Sequence, residues 1–269
     1  MKTKLIKATR MFAAFALLGA IIACGGDDDD SEGEGTTTEA QGVAAAQPGA
    51  AGATPGTLQI GQPPASLQVP IPPSMNFTVA ENGEYQIDVT AGSGADPKVY
   101  LYQGDTLVDQ DDDGGDGLNS RLVRFMEPGT YSVRVTDLRA RPFTAQMAAQ
   151  RLQPLTPVGA ITLGTPSVVT IPDFPILERP RNDRDASRAL TLNVTAAGQY
   201  TCTASADNNK DPKMALIQNG QLLEEDDDSG PGRNDASITR QLQPGTYVIR
   251  VWDWLHRGDH RITVNCRQG

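Results

Sequence analysis

Several things are scarce in this sequence. Of its 269 residues only 5% are aromatic, there are three cysteines and two histidines, and no basic block follows the first ten residues. Against 23 Lys and Arg stand 33 Asp and Glu, a net charge of −10, so the chain has no electrostatic footprint for a polyanion and nucleic acid is excluded as a partner. Few soft ligands are available for a metal centre. No Gly-x-Ser-x-Gly elbow, His-Glu-x-x-His pair or phosphate-cradling loop occurs, so no common nucleophile, metalloprotease or nucleotide signature is present. What is abundant is 27 Gly and 19 Pro, both poor in helix interiors, so long helices are not expected.

The N-terminus carries an address. Lys2, Lys4, Lys7 and Arg10 precede an apolar run from Met11 to Ala23, which is the layout of a secretory signal and too short for a spanning helix. Ile21-Ile22-Ala23-Cys24 resembles the bacterial lipobox, which implies removal of residues 1–23 and lipidation of Cys24. That removal takes four of the 23 basic residues and no acidic one, leaving 19 against 33 and a charge of −14. Two or more palmitate-class chains, at ~0.8 kcal/mol per buried CH₂, would moor the protein to a membrane without crossing it. Gly25 stands where Asp would resemble an inner-membrane retention signal, so the expected location is the bacterial envelope, on the outer membrane or cell surface.

Residues 24–56 read as a tether. From Gly25 to Gly56 there is no aromatic residue and one branched aliphatic, Val43, too little to offset the entropy of ordering. Asp27 to Asp30 read as a solvated run. A flexible chain of this length reaches on the order of 30 Å.

Beyond the tether the sequence repeats itself. Asp96-Pro97-Lys98 recurs as Asp211-Pro212-Lys213, Asp111-Asp112-Asp113 as Asp226-Asp227-Asp228, Gly83-x-Tyr85 as Gly198-x-Tyr200, and Pro128-Gly129-Thr130-Tyr131 as Pro244-Gly245-Thr246-Tyr247. The order and spacing define two copies, residues 57–152 and 159–269, joined by a Pro-rich link at 153–158. About twelve extra residues in the second copy fall within Asp173–Ser187. Each copy alternates apolar and polar residues in short runs, as in Tyr85-x-Ile87-x-Val89 and Tyr131-x-Val133-x-Val135. The expected fold class is all-β, two tandem antiparallel sandwiches of jelly-roll type. Cys202 and Cys266, both on strands of the second copy, are expected to be bridged in an oxidising envelope.

The early Gly-x-Tyr strand, the Asp before Val-x-Leu-Tyr, the Gly-rich acidic loop 111–120 and the closing Pro-Gly-Thr-Tyr-x-Val-x-Val strand together resemble the bacterial pre-peptidase C-terminal domain. The second copy departs from it at Ser229-Gly230-Pro231 and Asn234-Asp235. The resemblance implies a small sandwich, often appended to secreted proteases and in some members calcium-dependent in binding. No peptidase accompanies it here, so that role is not carried over.

The acidic loops are the leading candidate sites. Calcium takes 6–8 oxygen ligands, and carboxylates on a Gly-rich turn supply them at low steric cost. Asp96, Asp111, Asp113, Asp116 and Asn119 form the first expected set, and Asp211, Asp226, Asp228, Asn234 and Asp235 the second. The alternatives are a solvated hairpin with turn-capping carboxylates, or neutralisation by Arg121, Arg124, Arg233 and Arg240. Trp252 and Trp254 alternate on one strand face, either as a stacking platform or, more in keeping with their size, as core. Arg257-Gly258-Asp259 spells an adhesion tripeptide at an expected loop tip. His256 and His260 lie in the same turn and read as a hairpin tip rather than a zinc pair. The insertion, with Arg179, Arg181, Arg184 and Arg188, reads as a recognition loop or a surface excursion.

These features suggest a non-catalytic, lipid-anchored envelope protein that binds an extracellular protein or polysaccharide, with structural calcium as the one cofactor. It would meet the membrane through its lipid alone and be a monomer. An assembly subunit of an envelope complex is the alternative reading, and a hydrolase using the acidic loops a weaker one.

Overall fold

The computed structural model describes residues 56–69, 74–92, 94–174, 180–208 and 210–269, which belong to one compact unit. The expected signal peptide, Cys24 and nearly all of the tether lie outside the described residues, as does Arg179. Among the described residues no helix is long and apolar enough to cross a membrane.

The first half contains β1 (Gly56–Thr57), β2 (Ala65–Val69), β3 (Ser74–Val79), β4 (Gly83–Ala91), β5 (Pro97–Gln103), β6 (Thr106–Asp111), β7 (Ser120–Met126), β8 (Gly129–Asp137) and β9 (Phe143–Arg151). The second contains β10 (Gly159–Ile161), β11 (Ser167–Ile171), β12 (Arg188–Val194), β13 (Gly198–Ala206), β14 (Pro212–Gln218), β15 (Gln221–Asp226), β16 (Ala236–Leu242), β17 (Gly245–Asp253) and β18 (His260–Gln268). One four-residue helix, α1 (Asp183–Ala186), has no counterpart among the described residues of the first half.

Each half is a pair of sheets around its own core. The first has sheet orders β1-β3-β8-β5-β6 and β2-β9-β4-β7; the second has β10-β12-β17-β14-β15 and β11-β18-β13-β16, the same order strand for strand. Alternation builds the cores: Tyr85, Ile87 and Val89 of β4 and Tyr131, Val133 and Val135 of β8 are buried together, as are Tyr200, Cys202 and Ala204 of β13 with Tyr247, Ile249 and Val251 of β17. Each large apolar side chain so buried contributes roughly 1.5–3 kcal/mol relative to exposure. Neighbouring strands are antiparallel except at one edge of each five-stranded sheet, where β1 runs parallel to β3 and β10 to β12. Periodicity carries no strand direction, so that exception was not legible beforehand.

The repeated tyrosines have one function. The hydroxyls of Tyr85, Tyr131, Tyr200 and Tyr247 donate to the carbonyls of Glu81, Glu127, Ala196 and Gln243, each four residues back, at 2.8–3.0 Å. These bonds tie a strand to the turn preceding it and satisfy a hydroxyl that is otherwise buried. Cys202 and Cys266 are bonded and lie directly opposite each other on β13 and β18. The same register in the first half pairs Ile87 with Ala149, so the disulfide occupies a site that an apolar pair fills equally well.

The insertion packs on the second sandwich. Ala186 is buried with Trp252, Ala215 and Ile217 on the outer face of β14 and β17, in a cluster that also takes in Phe125 of β7. The β14–β15 turn, Asn219-Gly220, has both residues at positive φ, as a two-residue hairpin of this type requires. A Cβ on Gly220 would lie 2.7 Å from the Asn82 carbonyl oxygen, so the turn abuts the first sandwich.

Candidate functional site

The acidic loops join β6 to β7 and β15 to β16. In each, the three consecutive carboxylates bring an oxygen within 4.8 Å of one another. Their first members are turn caps: Asp111 Oδ2 accepts from the amides of Gly114 and Arg121 at 2.8 and 2.9 Å, and Asp226 Oδ2 from those of Ser229 and Ser237 at 3.1 and 2.7 Å. Burial raises the Asp111 pKa, as does the charge of Asp113 and Asp112, against the two amide bonds that lower it.

The two loops then diverge. Asp96 pairs with Arg139 at 3.4 Å, whereas the position matching Arg139 by the offset of the β8 and β17 strands is Leu255. Burial raises the Asp211 pKa, as do the charges of Asp227, Asp253 and Asp228, against the charge of Arg257, which lowers it. Asn119 is spent on structure, its Oδ1 accepting from the Ala91 amide at 3.0 Å. The Asp116 carbonyl accepts from Asn119, and Asp235 Oδ2 accepts from the Gly232 amide at 3.0 Å. Three of the four arginines expected to neutralise these loops are engaged elsewhere: Arg121 with Asp88 at 2.6 Å, Arg124 with Asp109 and Arg240 with Glu224, both at 3.4 Å.

As a calcium site the first loop fits poorly, since its main-chain carbonyls already meet a guanidinium: Arg181 Nη1 donates to the carbonyls of Asp113, Gly115 and Gly117. The second loop fits better, because Asp211, Asp227 and Asp228 lie close enough to repel and no arginine forms an ion pair with any of them among the described residues. Asp227 belongs to this set, and no set that skips alternate residues would include it.

Other candidates are reassigned by their contacts. Trp252 is fully buried with Ala186 of the insertion and with Lys213 and Arg250 against its ring, so of its two readings it is core and offers no face to a ligand. Trp254 and Leu255, 42% and 59% exposed, stand at the end of β17, where the Trp254 amide donates to the Asp211 carbonyl at 2.7 Å. Arg257 is clamped on Asp253 through Nε and Nη2 at 2.8 and 2.6 Å, so it is not presented as half of an adhesion tripeptide; Asp259 is exposed. His256 contacts Asp183 and the Pro180 carbonyl, and His260 the Gly258 carbonyl, so neither is poised as one of a zinc pair.

Two features escaped the sequence reading. Asp253, with its side chain fully buried, accepts from the amides of Asp211, Leu255 and Arg257, and Asp137 does the same for Asp96, Arg139 and Arg141. Burial works against the Asp253 charge, but the Arg257 guanidinium and these amides outweigh it and lower its pKa. The recurrence of Asp two residues after the closing run, in Val133-Arg134-Val135-Thr136-Asp137 and Ile249-Arg250-Val251-Trp252-Asp253, was the available signal. The second is an ion-paired junction: Glu84 on the outer face of β4 bonds Arg250 of β17 at 2.7 Å and also pairs with Arg184 of α1. Beside it a cleft of ≈ 220 Å³ is lined by Phe125, Leu155, Ile217 and Val248.

Residues 74–137, from β3 through β8, match the family model described as the bacterial pre-peptidase C-terminal domain. The fold and this match define a β-sandwich protein with a module of a kind that is often a non-catalytic binding unit. Similar solved structures include the pre-peptidase C-terminal domain of a collagenase from Bacillus anthracis, at 14% identity over 43% of this chain and 100% of that one, with a TM-score of 0.33. PliG, a periplasmic inhibitor of g-type lysozyme from Aeromonas hydrophila, aligns at 16% identity over 36% and 96%, with a TM-score of 0.25. No curated protein matches the chain significantly.

Proposed function

We propose that this chain is a non-catalytic, lipid-anchored envelope protein in which both sandwiches are pre-peptidase C-terminal modules and the loop end of the second binds an extracellular polysaccharide or protein. The observation that carries the reading is that the half-exposed Trp254–Leu255 ledge, with Lys213 5.0 Å from the Trp254 ring and the Trp254 amide on the Asp211 carbonyl, ends β17 at the same end of the sheet as the Asp226–Asp228 loop. An aromatic face beside clustered oxygens suits a sugar ring or a protein surface, with an apolar contact next to a polar one. Calcium, held by the three carboxylates, would relieve their repulsion and order the loop under the ledge. Lipidation of Cys24 would moor the chain to the membrane through the tether.

Retention of the mature protein on glycan and matrix-protein arrays, with calcium and with chelator, tests the reading. The expected result is chelator-sensitive retention that Trp254→Ala weakens. Retention on no array, together with a stoichiometric envelope protein that co-purifies, would replace it with the assembly role.

A further inference from the structure

The described part of the insertion between β11 and β12, from Pro180 to Ser187, rests on the second sandwich and reaches the first. Its backbone is held near Arg181 by the second sandwich: His256 binds the Pro180 carbonyl at 3.0 Å and Asp183 at 2.8 Å, Lys213 pairs with Asp183, and Asn182 caps α1. Arg181 then reaches the first acidic loop, where Nη1 meets the carbonyls of Asp113, of Gly115 at 2.8 Å and of Gly117 at 3.2 Å. Nη1 has two hydrogens, so one of them is shared.

Carbonyls of alternate residues converge there because the loop is built to turn them inward. The Gly115 amide bonds the Asn119 carbonyl at 2.8 Å, and Gly117 sits at φ +67. A Cβ on Gly114 would lie 2.7 Å from the Arg121 carbonyl oxygen, and one on Gly115 2.7 Å from that of Asn119. Three converging carbonyl dipoles on a loop that carries Asp111, Asp112 and Asp113 form a receptor for one positive charge. The ligand here is a planar cation supplied by the chain itself.

We infer that the first acidic loop is a guanidinium-binding site filled in cis by Arg181, so that the insertion latches the two sandwiches together and closes this loop to free cations. The inference does not depend on the binding role proposed above. It also gives the twelve-residue difference between the copies a purpose, since the segment leaving the second sandwich at this point delivers Arg181 to the acidic loop of the first.

Amide hydrogen exchange on the full mature chain tests it, read at Gly114, Gly115 and Asn119. In Arg181→Ala these amides should exchange roughly threefold to tenfold faster. Sub-denaturing guanidinium chloride should restore their protection, and sodium chloride at the same concentration should not. Unchanged exchange in the variant overturns the inference. So does a loss that guanidinium fails to repair, since the arginine would then act only through the strap's backbone. Calcium that protects these amides in the wild-type chain, with the Asp185, Ala186 and Ser187 amides of the strap still protected, overturns it as well.

Discussion

Glu84 of the first sandwich and Arg250 of the second meet at 2.7 Å with side chains only 8% and 5% exposed, and Arg184 closes on the same carboxylate from the insertion. A carboxylate this far from water is tolerable only with both partners in place. The pairing makes the two sandwiches interdependent, although each has its own core.

Glu84→Ala leaves two arginines without their counter-charge in the junction. The expected cost is about 3–5 kcal/mol, and differential scanning calorimetry should show the single transition splitting as the sandwiches uncouple. Glu84→Gln, which keeps the volume, should fall between the variant and the wild type.

Asp253→Ala removes an acceptor from three amides and a guanidinium around a fully buried side chain. A loss of about 2–4 kcal/mol is expected in chemical denaturation. The wild-type pH dependence should share this origin. The pKa values of Asp253 and of Asp183, which bonds His256 and Lys213, lie below the ordinary carboxylate value of about 3.9 in the folded chain. Their contribution is complete above that value and is lost as pH falls through the depressed folded values, so the acid limb should begin near pH 4 and shift when Asp253 is replaced.

Asp211 predicts the opposite sign. Its pKa is raised in the folded state, so its ionisation opposes folding as pH rises through that value. Asp211→Asn should therefore raise the melting midpoint at neutral pH in the presence of chelator, and should abolish any rise that calcium produces in the wild type.

Reducing the Cys202–Cys266 bond should destabilise the second sandwich by about 2–4 kcal/mol and, through the shared junction, lower the midpoint of the whole chain. Because the matching positions in the first sandwich are Ile87 and Ala149, the double variant Cys202→Ile with Cys266→Ala should still fold. Circular dichroism with thermal melts checks both outcomes.

Gly220→Ala puts a side chain at φ +77 and 2.7 Å from the Asn82 carbonyl oxygen. Gly104, in the corresponding hairpin of the first sandwich, has φ +59 and no atom within 4 Å of an added Cβ. The Gly220 variant should cost about 1–3 kcal/mol and the Gly104 variant roughly 1 kcal/mol, the difference measuring the contact between the sandwiches.

Local rules made much of the fold legible. Tyr85-x-Ile87-x-Val89 and its relatives alternate because a strand alternates its faces, and duplicated motifs at a fixed offset fold alike, so the strands and the two sheet pairs followed from pattern, while the Cys202–Cys266 bridge was expected from the oxidising envelope the N-terminus implies. The destinations of the charged residues did not follow. Arg181, Arg184, Glu84 and Arg250 are far apart in sequence, and nothing in their spacing tells that three of them share one carboxylate-centred junction while the fourth fills a ring of carbonyls. Trp252 likewise alternates as a ligand-facing residue would, until the insertion and β7 cover its face. Strand alternation is a property of one chain segment, whereas the worth of a charge or an outward-facing ring depends on what packs against it. Only the docking of the second sandwich on the first decided that.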